Sequence, residues 1–126
     1  MNLDYLKRYG RVYLASAYSK YAPALDYACD VVSIVAARLM RSGVHVFSPI
    51  AHSHTIATRG GLDPLDAPLF IAFDKVEQDL CGLLLIVKMP GWEESDGIRG
   101  EFAHACLIKQ PVLYIDPDTM QITTGA

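Results

Sequence analysis

The chain has no apolar run long enough to cross a bilayer. The longest, Cys81 to Val87, falls far short of the ~20 residues that a spanning helix needs. The opening MNLDYLKRYG carries an acid and lacks the apolar centre of a signal peptide, so no export is expected. Positive charge is also scarce. A net charge of −3 without a long basic run speaks against nonspecific binding to nucleic acid or a membrane surface, and neither is expected as a partner. Cysteine is sparse too: Cys29, Cys81 and Cys106 are odd in number, scattered, and form no CxxC pair. They fit buried thiols in a reducing compartment, so a cytoplasmic setting is predicted. There is no internal repeat, no low-complexity segment and no linker, which leaves one domain over residues 1–126.

What is present describes an ordinary folded domain. With 52% hydrophobic and 20% charged residues the chain is not of disordered composition. Four short apolar runs stand out: Val12–Ala15 (VYLA), Val44–Phe47 (VHVF), Leu83–Val87 (LLLIV) and Val112–Ile115 (VLYI). Their near-continuous hydrophobicity predicts strands of a parallel sheet covered on both faces. Helical spacing lies between them. Leu25 to Arg41 carries Ala28, Val31, Val32, Val35, Ala36 and Leu39 on one stripe, and Ser42-Gly43 ends it. Ala67 or Pro68 to Leu80 puts Phe70, Phe73, Val76, Glu77 and Leu80 at three- and four-residue steps. Ser95 to Ile108 opens on a good N-cap, with Asp96 in the first turn to suit the helix dipole.

The predicted order is β-α-β-α-β-α-β, with a possible edge strand near Gln121–Thr123. Alternation of this kind implies right-handed crossovers and a single-domain α/β fold. The expected form is a doubly wound, mostly parallel sheet of four to five strands, flavodoxin- or Rossmann-like. Ligands of such sheets bind beyond the carboxyl ends of the strands. There the chain places Ser16-Ala17-Tyr18-Ser19, then Ser48-Pro49-Ile50-Ala51-His52-Ser53-His54, then Met89-Pro90-Gly91-Trp92-Glu93-Glu94-Ser95. Residues 52–66 read as a long loop containing Arg59-Gly60-Gly61, a candidate lid. Free N–H groups at the Ser95 helix start suit an anion, and Gly97 permits close approach. Glu101 lies four residues after Gly97, on the same helix face. From pattern alone, Glu101 and Asp74 are each either a solvated helix charge or a site carboxylate.

Three segments together resemble the nucleoside 2-deoxyribosyltransferase superfamily, which includes the nucleotide N-glycoside hydrolases. They are VYLASAYS, FDKVEQDLCGLLLIV and SDGIRGE. The chain looks most like a small bacterial and phage branch that shares SPIAHSH and MPGW-x-x-S-x-G-I-R-x-E. The resemblance implies cleavage of an N-glycosidic bond in a nucleoside 5′-monophosphate or nucleoside, by hydrolysis or (deoxy)ribosyl transfer. It carries the nucleophile onto Glu101 and the acid/base group onto Asp74, with Asp79 as the rival. It also implies no cofactor and no metal, and a homo-oligomer of at least two subunits. Transferases of the superfamily have Asp two residues before the glycine; Ser95 here departs from that and points to a 5′-phosphate and to water as acceptor. Tyr13, Ala15, Ser16, Tyr18, Ser48, His52, His54, Trp92, Ser95 and Gly97 are the candidate substrate contacts.

The chemistry suits these residue types. A carboxylate can capture an oxocarbenium-like C1′, and a second carboxyl of raised pKa, desolvated beside Phe70 and Phe73, can protonate the leaving base. Other readings stand beside this one. His52-x-His54 is a possible metal pair, but no third ligand has suitable spacing. His104 is either a surface residue or a partner of Glu101, and Arg99 either a solvated charge or a phosphate contact. The whole domain could also be a non-catalytic nucleotide-binding module, or a hydrolase of a dinucleotide such as NAD.

Overall fold

A computed structural model describes residues 1–21 and 24–125. A 3-10 helix, Leu3–Tyr9, leads into strand β1 (Arg11–Ala15), helix α1 (Leu25–Arg41) and strand β2 (His45–Phe47). Helices α2 (Pro49–Gly60) and α3 (Ala67–Asp79) follow in succession, then strand β3 (Leu83–Val87), helix α4 (Asp96–Leu107) and strands β4 (Val112–Ile115) and β5 (Ile122–Thr123). The sheet order is β2-β1-β3-β4-β5, parallel except for the antiparallel β4–β5 pair. This is the flavodoxin-like order, whose switch point lies between β1 and β3. The mostly parallel α/β sheet predicted from sequence is therefore present, as is the short edge strand.

Side chains alternate across each strand and build two cores. Val12, Leu14, Leu83, Leu85 and Val87 face α1, where Ala28, Val32, Val35 and Leu39 meet them. Tyr13, Ala15, Leu84 and Ile86 face the other way, toward Ile98 and Ala105 of α4. Only β3 is buried along its whole length; β2, at the sheet edge, is half-buried at best. Full cover of every strand, expected from the hydrophobic runs, thus holds only at the centre of the sheet.

Two expectations need correction. Residues 52–66 are not one long loop: α2 runs to Gly60, and only a short connection precedes α3. The start signals are in the sequence. Ser48 caps α2 by accepting a hydrogen bond from Ala51 N at 3.0 Å, and Pro49 takes the first turn. Gly61 ends the helix with a left-handed backbone (φ 75°), which glycine adopts without penalty. The apolar stripe of α3 also points the wrong way for a core. Phe73, Val76 and Leu80 are 67%, 61% and 59% exposed, while the buried residue of the helix is Gln78.

Polar partners explain this orientation. Gln78 Nε2 donates to the Glu101 carbonyl at 2.8 Å and to Gln110 Oε1 at 3.0 Å. Gln110 Nε2 answers by donating to the Gln78 and Cys81 carbonyls at 3.0 and 2.9 Å. Arg11 pairs with Glu77 at 3.1 Å on the same side. A buried amide is tolerated when its donors and acceptors are met, and here they anchor α3 to α4 and to the segments that lead into β3 and β4. Among the described residues no helix is long and apolar enough to cross a membrane.

Candidate functional site

A cavity of about 570 Å³ opens at the carboxyl edge of β1, enclosed by α2, α3 and one face of α4 along its whole length. Its size falls within the range of small-molecule sites. It lies on the sheet face opposite α1, where α3 stands off the strands.

Glu101 is the central group. Half-buried on α4, it accepts a hydrogen bond from the Tyr13 hydroxyl at 2.5 Å through Oε2. Tyr13 is fully buried on β1, so its ring is fixed by the core and its hydroxyl reaches across to the helix. Burial pushes the Glu101 carboxyl up to about 8, against the Tyr13 hydrogen bond, which favours the carboxylate, and with the charge of Asp74, which opposes it. Burial also lifts Asp74 to about 6, and the neighbouring Glu77 adds to the effect. Burial first, then the charges of Glu101 and Asp74, push the Tyr13 phenol well above its usual range, so Tyr13 remains a donor. Carboxyl groups with values this far apart form a unit that holds one proton near neutrality.

The floor of the cavity is set up for an anion. Ser95 is buried, caps α4 by accepting from Ile98 N at 3.2 Å, and lines the cavity with Asp96 and Gly97. A Cβ on Gly97 would come no closer than 3.8 Å to the Ser95 hydroxyl, and one on Gly100 would meet nothing. Neither glycine is demanded by packing, and both line the open space. Ser16, at the end of β1, is 6% exposed, lines the same cavity, and its hydroxyl has no hydrogen-bond partner among the described residues. The Ser16 oxygen is shielded from solvent, so it stands as a buried polar atom without a partner in the wall that Ser95 and Gly97 also line.

Of the residues singled out from sequence, Glu101, Asp74, Tyr13, Ser16, Tyr18, His54, Ser95 and Gly97 line this one cavity. Four others lie elsewhere. Ala15 is wholly buried in the sheet core. Ser48 is used up as the α2 cap. His52 is exposed and stacks against Phe47, with ring centroids 5.6 Å apart. Trp92 packs on Tyr114 at the same centroid separation, away from the opening. Ser48 and His52 follow from reading Ser48–His54 as a loop, Trp92 from placing every strand-end aromatic at the site, and Ala15 from counting the last residue of β1, whose side chain points into the core, with the loop after it. On a helix, His52 and His54 point in different directions. Among the described residues no group of three or more His, Cys, Asp or Glu is arranged to hold a metal ion.

Asp74 and Asp79, the two aspartates weighed from sequence, differ in position. Asp79 is taken by His104, whose Nε2 lies 2.6 Å from Asp79 Oδ1, whereas Asp74 faces Glu101. Phe70 lines the cavity beside Asp74, but the expected second neighbour, Phe73, faces solvent. Arg99 is exposed and reaches the Glu93 carbonyl at 3.3 Å, as a solvated charge. Sequence reasoning missed the Gln78–Gln110 clasp and the Tyr13–Glu101 bond. Gln78 stands four residues after Asp74, and that spacing was the available signal.

A search among curated proteins gives no match. The family described as Domain of unknown function (DUF1937) matches residues 10–116, which takes in every strand from β1 to β4 and the whole cavity. The chain belongs to the DUF1937 family.

Proposed function

We propose that this protein cleaves the N-glycosidic bond of a nucleoside 5′-monophosphate, in the manner of the nucleoside 2-deoxyribosyltransferase superfamily that its sequence resembles. The observation that carries the reading is the Tyr13–Glu101–Asp74 cluster at the sheet's switch point, with Ser16 and the α4 N-terminus beside it. A Glu101 oxygen forms a bond to C1′ while the C1′–N bond breaks and its electron pair leaves with the base. Asp74 gives its proton to that base. Water then attacks C1′, yields a proton to Asp74, and releases Glu101 as a carboxylate. A second base in place of water makes the same steps a transfer.

The two carboxyls share a proton near neutrality, and the first step needs it on Asp74 with Glu101 ionised. The Tyr13 hydroxyl, which donates to Glu101, favours that arrangement, whereas burial of Glu101 opposes it. The opposing effect of burial suits the rival reading, a nucleotide-binding module without catalysis, and so defines what a test must separate.

Two further proposals belong to the same reading. The outward apolar stripe of α3, together with Leu107 of α4 at 81% exposure, supports burial against a second copy of the chain. The three free cysteines support a reducing, cytoplasmic setting. The test is to incubate the protein with ribo- and deoxyribonucleoside monophosphates and follow free base. Release that Glu101→Gln and Asp74→Asn each abolish, with the fold intact by circular dichroism, is the expected result. Nucleotide binding without release assigns the binding module instead.

A further inference from the structure

A second polar chain enters the cavity from the side opposite Glu101's helix. His54, on α2 and 8% exposed, sits between two oxygens: its Nε2 is 2.6 Å from Asp26 Oδ1, and its Nδ1 is 2.5 Å from the Tyr18 hydroxyl. Asp26 stands on the first turn of α1 with its side chain 91% exposed to water. The Tyr18 and His54 rings meet edge-on, with centroids 5.6 Å apart at 81°. Both residues line the cavity.

The hydrogen positions follow from the ends of the chain. A solvated carboxylate only accepts, so the Nε2 of His54 carries a hydrogen and donates it to Asp26. In a singly protonated imidazole Nδ1 is then an acceptor, and Tyr18 spends its only hydrogen on it. What the Tyr18 oxygen has left is its lone pairs. Burial, with Cys29 and Asp26 nearby, raises this phenol to about 12, so it keeps that hydrogen throughout the physiological range.

We infer that Tyr18 is the specificity-determining residue of the cavity, an obligate hydrogen-bond acceptor that selects a nucleobase bearing an amino group over its oxo counterpart. The inference rests on the nucleotide reading above. Sugar hydroxyls rotate to donate or accept and are not sorted by a fixed acceptor. Phosphate oxygens are acceptors themselves and are repelled by one. Only the base presents a donor that chemistry exchanges for an acceptor at the same position, as in adenine against hypoxanthine and cytosine against uracil. Asp26 and His54 act through Tyr18 and are positioning residues.

The experiment uses the 5′-monophosphates of adenosine, inosine, cytidine and uridine. Their affinities are measured by calorimetry on Glu101→Gln, and base release on the wild type. The expected result is an amino-over-oxo preference of about tenfold within each pair, because the oxo base sets two acceptors face to face in a partly buried site. Tyr18→Phe should bring both ratios to within about twofold while the melting temperature holds. Asp26→Ala leaves the Tyr18 hydroxyl in place but frees the tautomer of His54, and should shrink the ratios as well. A loss of overall affinity at unchanged ratio, as a merely structural role would give, overturns the inference. So does equal binding of all four, or a preference for the oxo bases, which would mean that His54 carries both hydrogens. Failure of all four to bind overturns the nucleotide reading and this inference together. Binding with the amino preference but no base release overturns only the catalytic reading.

Discussion

The two faces of the sheet are built from the same strands and differ in what they do with them. On the α1 side, Val12, Leu14, Leu83 and Leu85 meet an unbroken apolar stripe, and no carboxyl group is among the residues of that core. On the α3–α4 side, Tyr13 from the same β1 strand reaches a carboxylate, and α3 is held off by an amide clasp in place of an apolar face. A helix that packs its apolar stripe closes a cavity. One that turns a stripe of Phe70, Asp74 and Gln78 inward leaves a cavity open, with ionisable groups on its wall. The first face stabilises the fold and the second holds carboxyl groups away from water at the expense of stability.

Substitutions on the two faces should therefore separate activity from stability. The largest effect is expected from Glu101→Gln, which should lower base release by about a thousandfold or more without loss of fold. Leu14→Ala, on the α1 face, should do the opposite. It should lower unfolding free energy by about 3 kcal/mol in urea titration, with kcat/KM per folded molecule unchanged. Tyr13→Phe joins the faces, because its ring is core and its hydroxyl is site. Loss of a hydrogen bond to a carboxylate should reduce release about tenfold. It should also move the alkaline limb of the pH profile upward, since the bond that favours ionised Glu101 is gone.

The pH dependence of stability gives a smaller contrast, and its sign is fixed. The Glu101 carboxyl rises from 4.5 to about 8 on folding, so the folded state holds that proton more tightly than the unfolded state. Its contribution is fully present below the unfolded value and is lost as pH rises through the folded one. Glu101→Gln removes the penalty of ionising a buried carboxyl. It should match the wild type in acid and exceed it above about pH 9, read as a melting-temperature difference that grows with pH between those limits. The smallest effect concerns Gly97. Alanine there should stabilise α4 by up to ~1 kcal/mol, because only the Ser95 hydroxyl comes within van der Waals reach. The same methyl should weaken nucleotide binding about tenfold, for it occupies the approach to the helix N-terminus.

These contrasts also separate what could be read in the sequence from what could not. Strands such as LLLIV and the long stripe of α1 announce themselves, because burial on both faces or along one stripe leaves a periodic trace. Pattern left Glu101 and Asp74 as either solvated helix charges or site carboxylates, and the resemblance singled them out; both line the cavity. The segment PIAHSHTIATRG was not legible as a helix, because β-branched and histidine residues blur its period; only its cap, Pro49 and Gly61 mark it. With α2 missing, His54 could not be paired with Asp26 and Tyr18, which lie 28 and 36 residues away. The facing of α3 was beyond reach for a related reason. Its apolar stripe obeys helical spacing, but partners from α4 and from Gln110 decide which stripe turns inward.

The pH profile of kcat/KM for base release tests the carboxyl pair most directly. A pair that works while holding one proton gives a bell, falling below about 6 as Asp74 and Glu101 are both protonated and above about 8 as both ionise. The bell is the same whichever carboxyl holds the proton at rest. The expected result is such a bell for the wild type, with neither limb measurable in Glu101→Gln because release is gone. Release that stays flat across both values, or that persists in Glu101→Gln, would contradict a role for the pair.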